Sequence, residues 1–65
     1  MDKWGYIEEI GKQSTYYIDL LLDMMDKYNK TNLQELLFEE VVEYYENLEQ
    51  RKSDVFKRFY EIKGE

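Results

Sequence analysis

Three observations predict an all-α fold for this 65-residue chain. Apolar residues recur at alternating three- and four-residue steps in both halves, no proline occurs, and one polar run, Asn29-Lys30-Thr31-Asn32, separates the halves. Steps of three and four average the 3.5-residue period of helices packed along a shared seam. The expected architecture is an antiparallel helical hairpin of two long helices, about 2–28 and about 33–63, with the turn at 29–32. Two such hairpins are expected to dimerise into a four-helix bundle. The alternative is a three-helix bundle broken near Gly11 or Ser53.

The first helix is expected to start at Asp2, a good N-cap. Its seam reads Trp4, Ile7, Gly11, Ser14, Ile18, Leu21, Met25, Tyr28. Gly5 and Gly11 each cost about 1 kcal/mol relative to Ala inside a helix. Gly11 to Ser14 is therefore a candidate break, with Ser14 capping a second helix. The seam keeps its phase through that stretch, so a continuous helix is expected. At the turn, Asn29 tolerates the left-handed conformation that ends a helix. Thr31 with Gln34, or Asn32 with Glu35, then opens the second half as a capping box.

Leu33 to Ile62 contains neither Gly nor Pro. Its seam reads Phe38, Val41, Tyr45, Leu48, Lys52, Val55, Phe59, Ile62, and as one helix it would be about 45 Å long. Ser53, in the polar run 49–54, is a candidate cap for a further helix. Leu48 to Val55 is one heptad, so the phase again survives. Folding the chain about Thr31 stacks the seams in layers: Met25 with Leu37 or Phe38, Leu21 with Val41, Ile18 with Tyr45, Ser14 with Leu48. Further out come Gly11 with Lys52, Ile7 with Val55 and Trp4 with Phe59. The Lys52 stem is expected to cover Gly11, with its ammonium near Glu8 or solvent; a polar seam position also penalises wrong registers.

A chain this short buries only about 60% of its unfolded surface, and its core supplies roughly 3–5 kcal/mol without a staple. Cys and His are absent, which removes disulfides and the common zinc sites, so self-association is the expected staple. Apolar residues flank both seams, more than two helices can cover. A homodimer interface is expected at Ile10, Tyr17, Met24, Leu37, Val42, Tyr44 and Phe56. In outline such a dimer of helical hairpins resembles the small plasmid-encoded RNA-binding modulators. The basic, RNA-facing residues of that family have no counterpart here.

The net charge is −6, and it is unevenly placed. Residues 13–50 hold nine acids against Lys27 and Lys30, a balance of −7, while the remainder carries +1. Direct nucleic-acid binding is disfavoured, because the basic cluster Arg51, Lys52, Lys57, Arg58, Lys63 is interleaved with acids. The chain is also rich in tyrosine, with seven. Tyrosine among acids suits a protein-binding patch, expected at Tyr16, Asp19, Asp23, Glu39, Glu43 and Glu46, facing a basic protein partner. Glu8 and Glu9 are expected to meet Arg51 and Lys52 across the helices.

No catalytic signature appears. A helical di-metal site would need Glu-x-x-His pairs, a calcium loop a central Gly, and nucleophilic catalysis a Ser–His pair or a thiol. Ser53-Asp54-Val55-Phe56-Lys57 departs at nearly every position from the Ser-Gln-Glu-Leu-Asp motif of the sporulation aspartyl-phosphate phosphatases. No cofactor, metal, membrane or small-molecule substrate is expected. No apolar run exceeds three residues against the roughly 18 of a membrane span, and no signal peptide is seen, which points to the cytoplasm. The absence of Ala beside abundant Lys, Glu, Tyr and Asn suits an AT-rich phage or mobile-element source, with the host cytoplasm as the location. The expected function is a non-enzymatic regulator or inhibitor acting by protein–protein binding. A scaffold or assembly component, and a nucleic-acid mimic that blocks a DNA- or RNA-binding protein, are the alternatives.

Overall fold

The structure, a computed structural model, describes residues 1–60, without the side chains of Phe59 and Tyr60. Helices account for most of these residues and no strand occurs among them, as the periodicity predicts. The helices are α1 (Lys3–Gln13), α2 (Asp19–Lys27), α3 (Phe38–Glu46) and α4 (Leu48–Tyr60). A single 3-10 turn, Leu33–Glu35, precedes α3. Each expected long helix is thus divided in two. The expectations for Ile62, Lys63 and the side chain of Phe59 lie outside the described residues.

α1 begins where the sequence suggests. Asp2 is extended, and its carboxylate accepts the Gly5 N–H at 2.8 Å. The helix stops at Ser14, close to the candidate break at Gly11. Its continuation is replaced by an elbow, 14–18, in which Tyr17 takes a left-handed φ of 60° and the Ile18 N–H turns back to the Tyr16 carbonyl. Gly11 explains why the elbow fits. The Tyr17 ring lies over it, and a Cβ on Gly11 would stand 2.5 Å from that ring. Ser14 does assist the next helix, accepting the Leu20 N–H at 3.3 Å.

α2 ends at Lys27 with Tyr28 as its cap, and Asn29 just beyond has a φ of 59°, the left-handed stop expected of it. Asn32 accepts the Glu35 N–H at 3.1 Å, but this cap opens only the 3-10 turn. Leu36 and Leu37 are then extended, which sends Leu36 into the core and delays the next helix to Phe38. Glu40 accepts the Leu37 N–H at 2.9 Å and so fixes that start. The second division falls at Asn47 rather than Ser53, which sits inside α4. The Asn47 side chain donates to the Glu43 carbonyl at 2.9 Å, a local bond that competes with the helical ladder. The interruption is a single residue, and the Arg51 N–H still bonds the Asn47 carbonyl at 3.1 Å.

The elbow changes which helices meet. α1 lies on α3 and α2 on α4, so the outer layers expected between α1 and α4 give way to a different pairing. Tyr6 packs edge-on to Phe38 and Tyr45, with ring centroids 5.9 and 5.2 Å away. Lys3 donates to the carbonyls of Gln34 and Leu36 at 3.1 and 2.9 Å. Near the middle of the chain the expected layer of Ile18 with Tyr45 is lost, since Ile18 is exposed and Tyr45 packs on Tyr6. Tyr44 instead reaches the Leu20 carbonyl at 3.2 Å, and Lys52 lies near the C-terminal end of α1. The Lys52 ammonium meets Gln13 at 3.2 Å and Glu49 at 3.0 Å, not Glu8. The core joins all four helices and the extended link through Ile7, Ile10, Leu20, Leu21, Met24, Leu36, Val41, Tyr44, Leu48 and Val55.

Candidate functional site

The acidic residues grouped by the sequence fall into two environments. Glu39, Glu43 and Glu46 stand exposed on α3, at spacings of four and three that place them on one stripe. Tyr16 is 69% exposed, on the elbow. Asp19 and Asp23 are buried, so they cannot belong to an outward acidic face. The Asp19 carboxylate accepts the Leu20 N–H at 2.8 Å, at the first turn of α2, where the helix dipole favours a negative charge.

Asp23 is the centre of a buried polar network built across elements. Arg51 grips it as a fork, Nε to Oδ2 at 2.9 Å and Nη2 to Oδ1 at 2.9 Å. Arg58 donates to Oδ1 at 2.7 Å, and the Tyr44 hydroxyl donates to Oδ2 at 2.7 Å. Both carboxylate oxygens therefore accept charge-assisted bonds, which is what makes a buried charge tolerable. Burial, and then the hydrogen bond to Asp23, push the Tyr44 phenol well above its ordinary range, so it remains the donor. Burial would lower the Arg51 pKa, and the bonds to Asp23 outweigh that effect and raise it. Asp54 at 3.0 Å completes the charge pairing around Arg51.

This clamp was not read from the sequence, which expected Arg51 to meet Glu8 or Glu9. Its signal is nonetheless present: Tyr44, Arg51 and Arg58 are seven residues apart in turn, so a helix sets them on one stripe. A straight helix would hold positions 44 and 58 about 21 Å apart at 1.5 Å per residue. The three side chains converge on one carboxylate across the interruption at Asn47.

The expected dimer interface also divides. Ile10, Met24 and Tyr44 are fully buried within one chain and have no surface left to offer, and Val42 is half-buried. The shorter helices pack more faces against each other than two long ones would, which consumes these side chains. Tyr17, Leu37 and Phe56 remain about half exposed, joined by Trp4, Ile18, Leu22 and Phe38. A second polar contact spans the α2–α3 side, where the Tyr28 hydroxyl donates to Glu43 at 2.8 Å. Burial and then Glu43 push that phenol upward too.

A depression between the elbow and α4, lined by Gln13, Ser14, Asp19, Lys52, Val55 and Phe56, has a volume of about 200 Å³. Ligand pockets usually run from about 300 Å³ upward. A second, more open depression beside the Asn47 interruption, lined by Gln13, Tyr45, Glu46, Leu48 and Gln50 among others, reaches about 450 Å³. Among the described residues no group of three or more acids, His or Cys is placed to hold a metal ion. No helix among them is long and apolar enough to cross a membrane. Comparison with protein-family models, curated proteins and solved structures finds no match to this chain.

Proposed function

We propose that this is a non-enzymatic protein that acts by binding another protein, as a regulator or inhibitor, and that it self-associates as a homodimer. The observation that carries this reading is the apolar surface left after folding. Trp4, Tyr17, Ile18, Leu22, Leu37, Phe38 and Phe56 stay about half exposed in a chain of 65 residues. Aromatic and aliphatic side chains at that density mark contact surfaces. The reading is tested in two steps. Sedimentation equilibrium at micromolar concentration reports self-association, and a clean 8.1 kDa species would count against the dimer. Affinity capture from the native host, repeated with Trp4→Ala and Phe38→Ala, reports the partner; particle proteins alone in the capture would favour a scaffold role.

A second reading, a surface that mimics nucleic acid for a basic partner, is favoured by the exposed stripe of Glu39, Glu43 and Glu46. Burial of Asp19 and Asp23 removes two charges from that face and weakens it. Charge reversal of the three glutamates separates the readings. A mimic loses its partner and shows steep salt dependence, whereas an aromatic contact responds more to Tyr16→Ala.

A further inference from the structure

The elbow between α1 and α2 is strained at the residue that turns it. Tyr17 sits at φ 60°, a region that bulky side chains rarely adopt. Ser14 to Ile18 contain neither Gly nor Pro, so the backbone there is not barred from a helix. The seam Ile7, Gly11, Ser14, Ile18, Leu21, Met25 keeps its three–four spacing through the elbow, as one amphipathic helix would. The bent form is held by the Tyr17 ring over Gly11 and by the bond from the Leu20 N–H to Ser14. Bending also leaves Tyr17 and Ile18 each 54% exposed.

We propose that two copies of this chain exchange α1. The elbow straightens into a helix continuous from Lys3 to Lys27, and each α1 takes on the other copy the place it holds on its own. A second copy's α1 is the occupant that this face already fits. Tyr6 against Phe38 and Tyr45, and Lys3 against the Gln34 and Leu36 carbonyls, recur between chains unchanged. The strain at Tyr17 is relieved and the elbow residues gain helical hydrogen bonds; short strained hinges favour such exchange. The Asp23 clamp lies in α2, α3 and α4, so exchange leaves it intact. The proposal rests on the self-association put forward above and is independent of any partner's identity.

Two substitutions push the equilibrium in opposite directions. Gly11→Ala places a methyl group where the Tyr17 ring lies and so penalises the bent form; Gly11 is helical in both forms, so only this clash shifts the balance. Tyr17→Gly removes the left-handed strain of the bent form, which outweighs the loss of an exposed ring's contact with Gly11, and weakens the straight form. Two elbows straighten per dimer, so each per-chain effect counts twice. Sedimentation equilibrium of the full chain should show the dimer dissociation constant falling on the order of tenfold for Gly11→Ala and rising on the order of a hundredfold for Tyr17→Gly. Isotope-filtered NMR on a mixture of labelled and unlabelled unsubstituted chains should place the Tyr6–Tyr45 contact between chains. A dimer with that contact only within each chain overturns exchange, as do absent or reversed shifts in the dissociation constants. Persistence of a monomer at millimolar concentration overturns it as well. Should Gly11→Ala fail to fold by circular dichroism, Tyr17→Gly and the NMR mixture decide. A chain that stays monomeric yet retains its partner loses the exchange together with the self-association it rests on and keeps the partner-binding reading. A dimer with the Tyr6–Tyr45 contact only within each chain loses the exchange alone.

Discussion

The two places where consecutive helices are divided behave differently although the seam runs in phase through both. At 14–18 the chain leaves helical geometry for five residues, passes through a left-handed Tyr17 and folds α1 back onto α3. At Asn47 it misses one residue and α4 resumes, with its first bond reaching back to the Asn47 carbonyl. The difference is set by what each junction serves. Asn47 lies within the span over which Tyr44, Arg51 and Arg58 must close on Asp23, so the helix interrupts and continues. The elbow is held by local contacts at Gly11 and Ser14 and by the fit of α1 on α3. Periodicity reports which residues face the core, and says little about whether the backbone between them runs straight.

The most severe way to break this contrast is Asp23→Ala. It leaves the Arg51 guanidinium with Asp54 alone and the Tyr44 hydroxyl with the Leu20 carbonyl alone in a largely buried site, at a cost of about 3 kcal/mol. Arg58, 47% exposed, is screened by solvent and adds little to that figure. Since a core of this size supplies roughly 3–5 kcal/mol, the variant should be largely unfolded by far-ultraviolet circular dichroism at 25 °C. A cooperative melt near that of the unsubstituted chain would show that α2 stays on α4 without the clamp.

Tyr44→Phe tests one arm of the clamp and should cost about 1.5–3 kcal/mol, as expected for a bond to a charged acceptor. The same phenol makes stability sensitive to alkali. Its folded pKa lies above the unfolded value near 10, so its contribution is complete below pH 10 and is lost as pH rises beyond it. Denaturant midpoints between pH 9 and 11 should fall for the unsubstituted chain and less steeply for Tyr44→Phe.

Asn47→Ala sharpens the comparison from the other side. Ala favours the helix, and the clamp on either side holds the geometry, so stability should rise by about 0.5 kcal/mol. That corresponds to roughly 2–4 °C in Tm for a domain of this size. A loss of more than about 1 kcal/mol would mean that the Asn47 side chain itself shapes the convergence on Asp23.

The smallest effect is expected at the turn between the halves. The backbone N–H and then the hydroxyl of Thr31 donate to Glu35 and hold its pKa below the usual carboxylate range. That contribution is present above the unfolded value near 4.3 and is lost as pH falls through the lower folded value. The Thr31 amide resonance should therefore titrate below pH 4.3, and Glu35→Gln should abolish the transition with little change in Tm.

Much of the local chemistry was legible in the sequence. The cap at Asp2 and the left-handed Asn29 are decided by neighbours three or four residues away and appear as expected, whereas Asn32 caps only the 3-10 turn and Glu35 turns to Thr31. The delayed start of α3 was not legible, because it depends on Leu36 gaining a core position that only the folded chain provides. The elbow was half legible: Gly11 marked the place, whereas the side chain that needs the missing Cβ, Tyr17, was read as interface. Asp23 was read as surface because an acid is usually exposed, and its burial depends on partners 28 and 35 residues away. Of the expected contact residues, Tyr16, Glu39, Glu43 and Glu46 stay exposed and both aspartates are buried.

Those separations also set a kinetic order. Tyr28 to Glu43 closes 15 residues and Tyr44 to Leu20 closes 24, whereas Arg58 to Asp23 closes 35. Loop-closure entropy grows with each interval, so the α2–α3 pairing is the cheaper nucleus and the arginines arrive after it. Interactions made after the transition state act on the unfolding rate and leave the folding rate nearly unchanged. The clamp thus behaves as a latch on the finished molecule: weakening it with Arg51→Gln should shorten the lifetime of the folded state while the refolding limb of a chevron plot stays where it is.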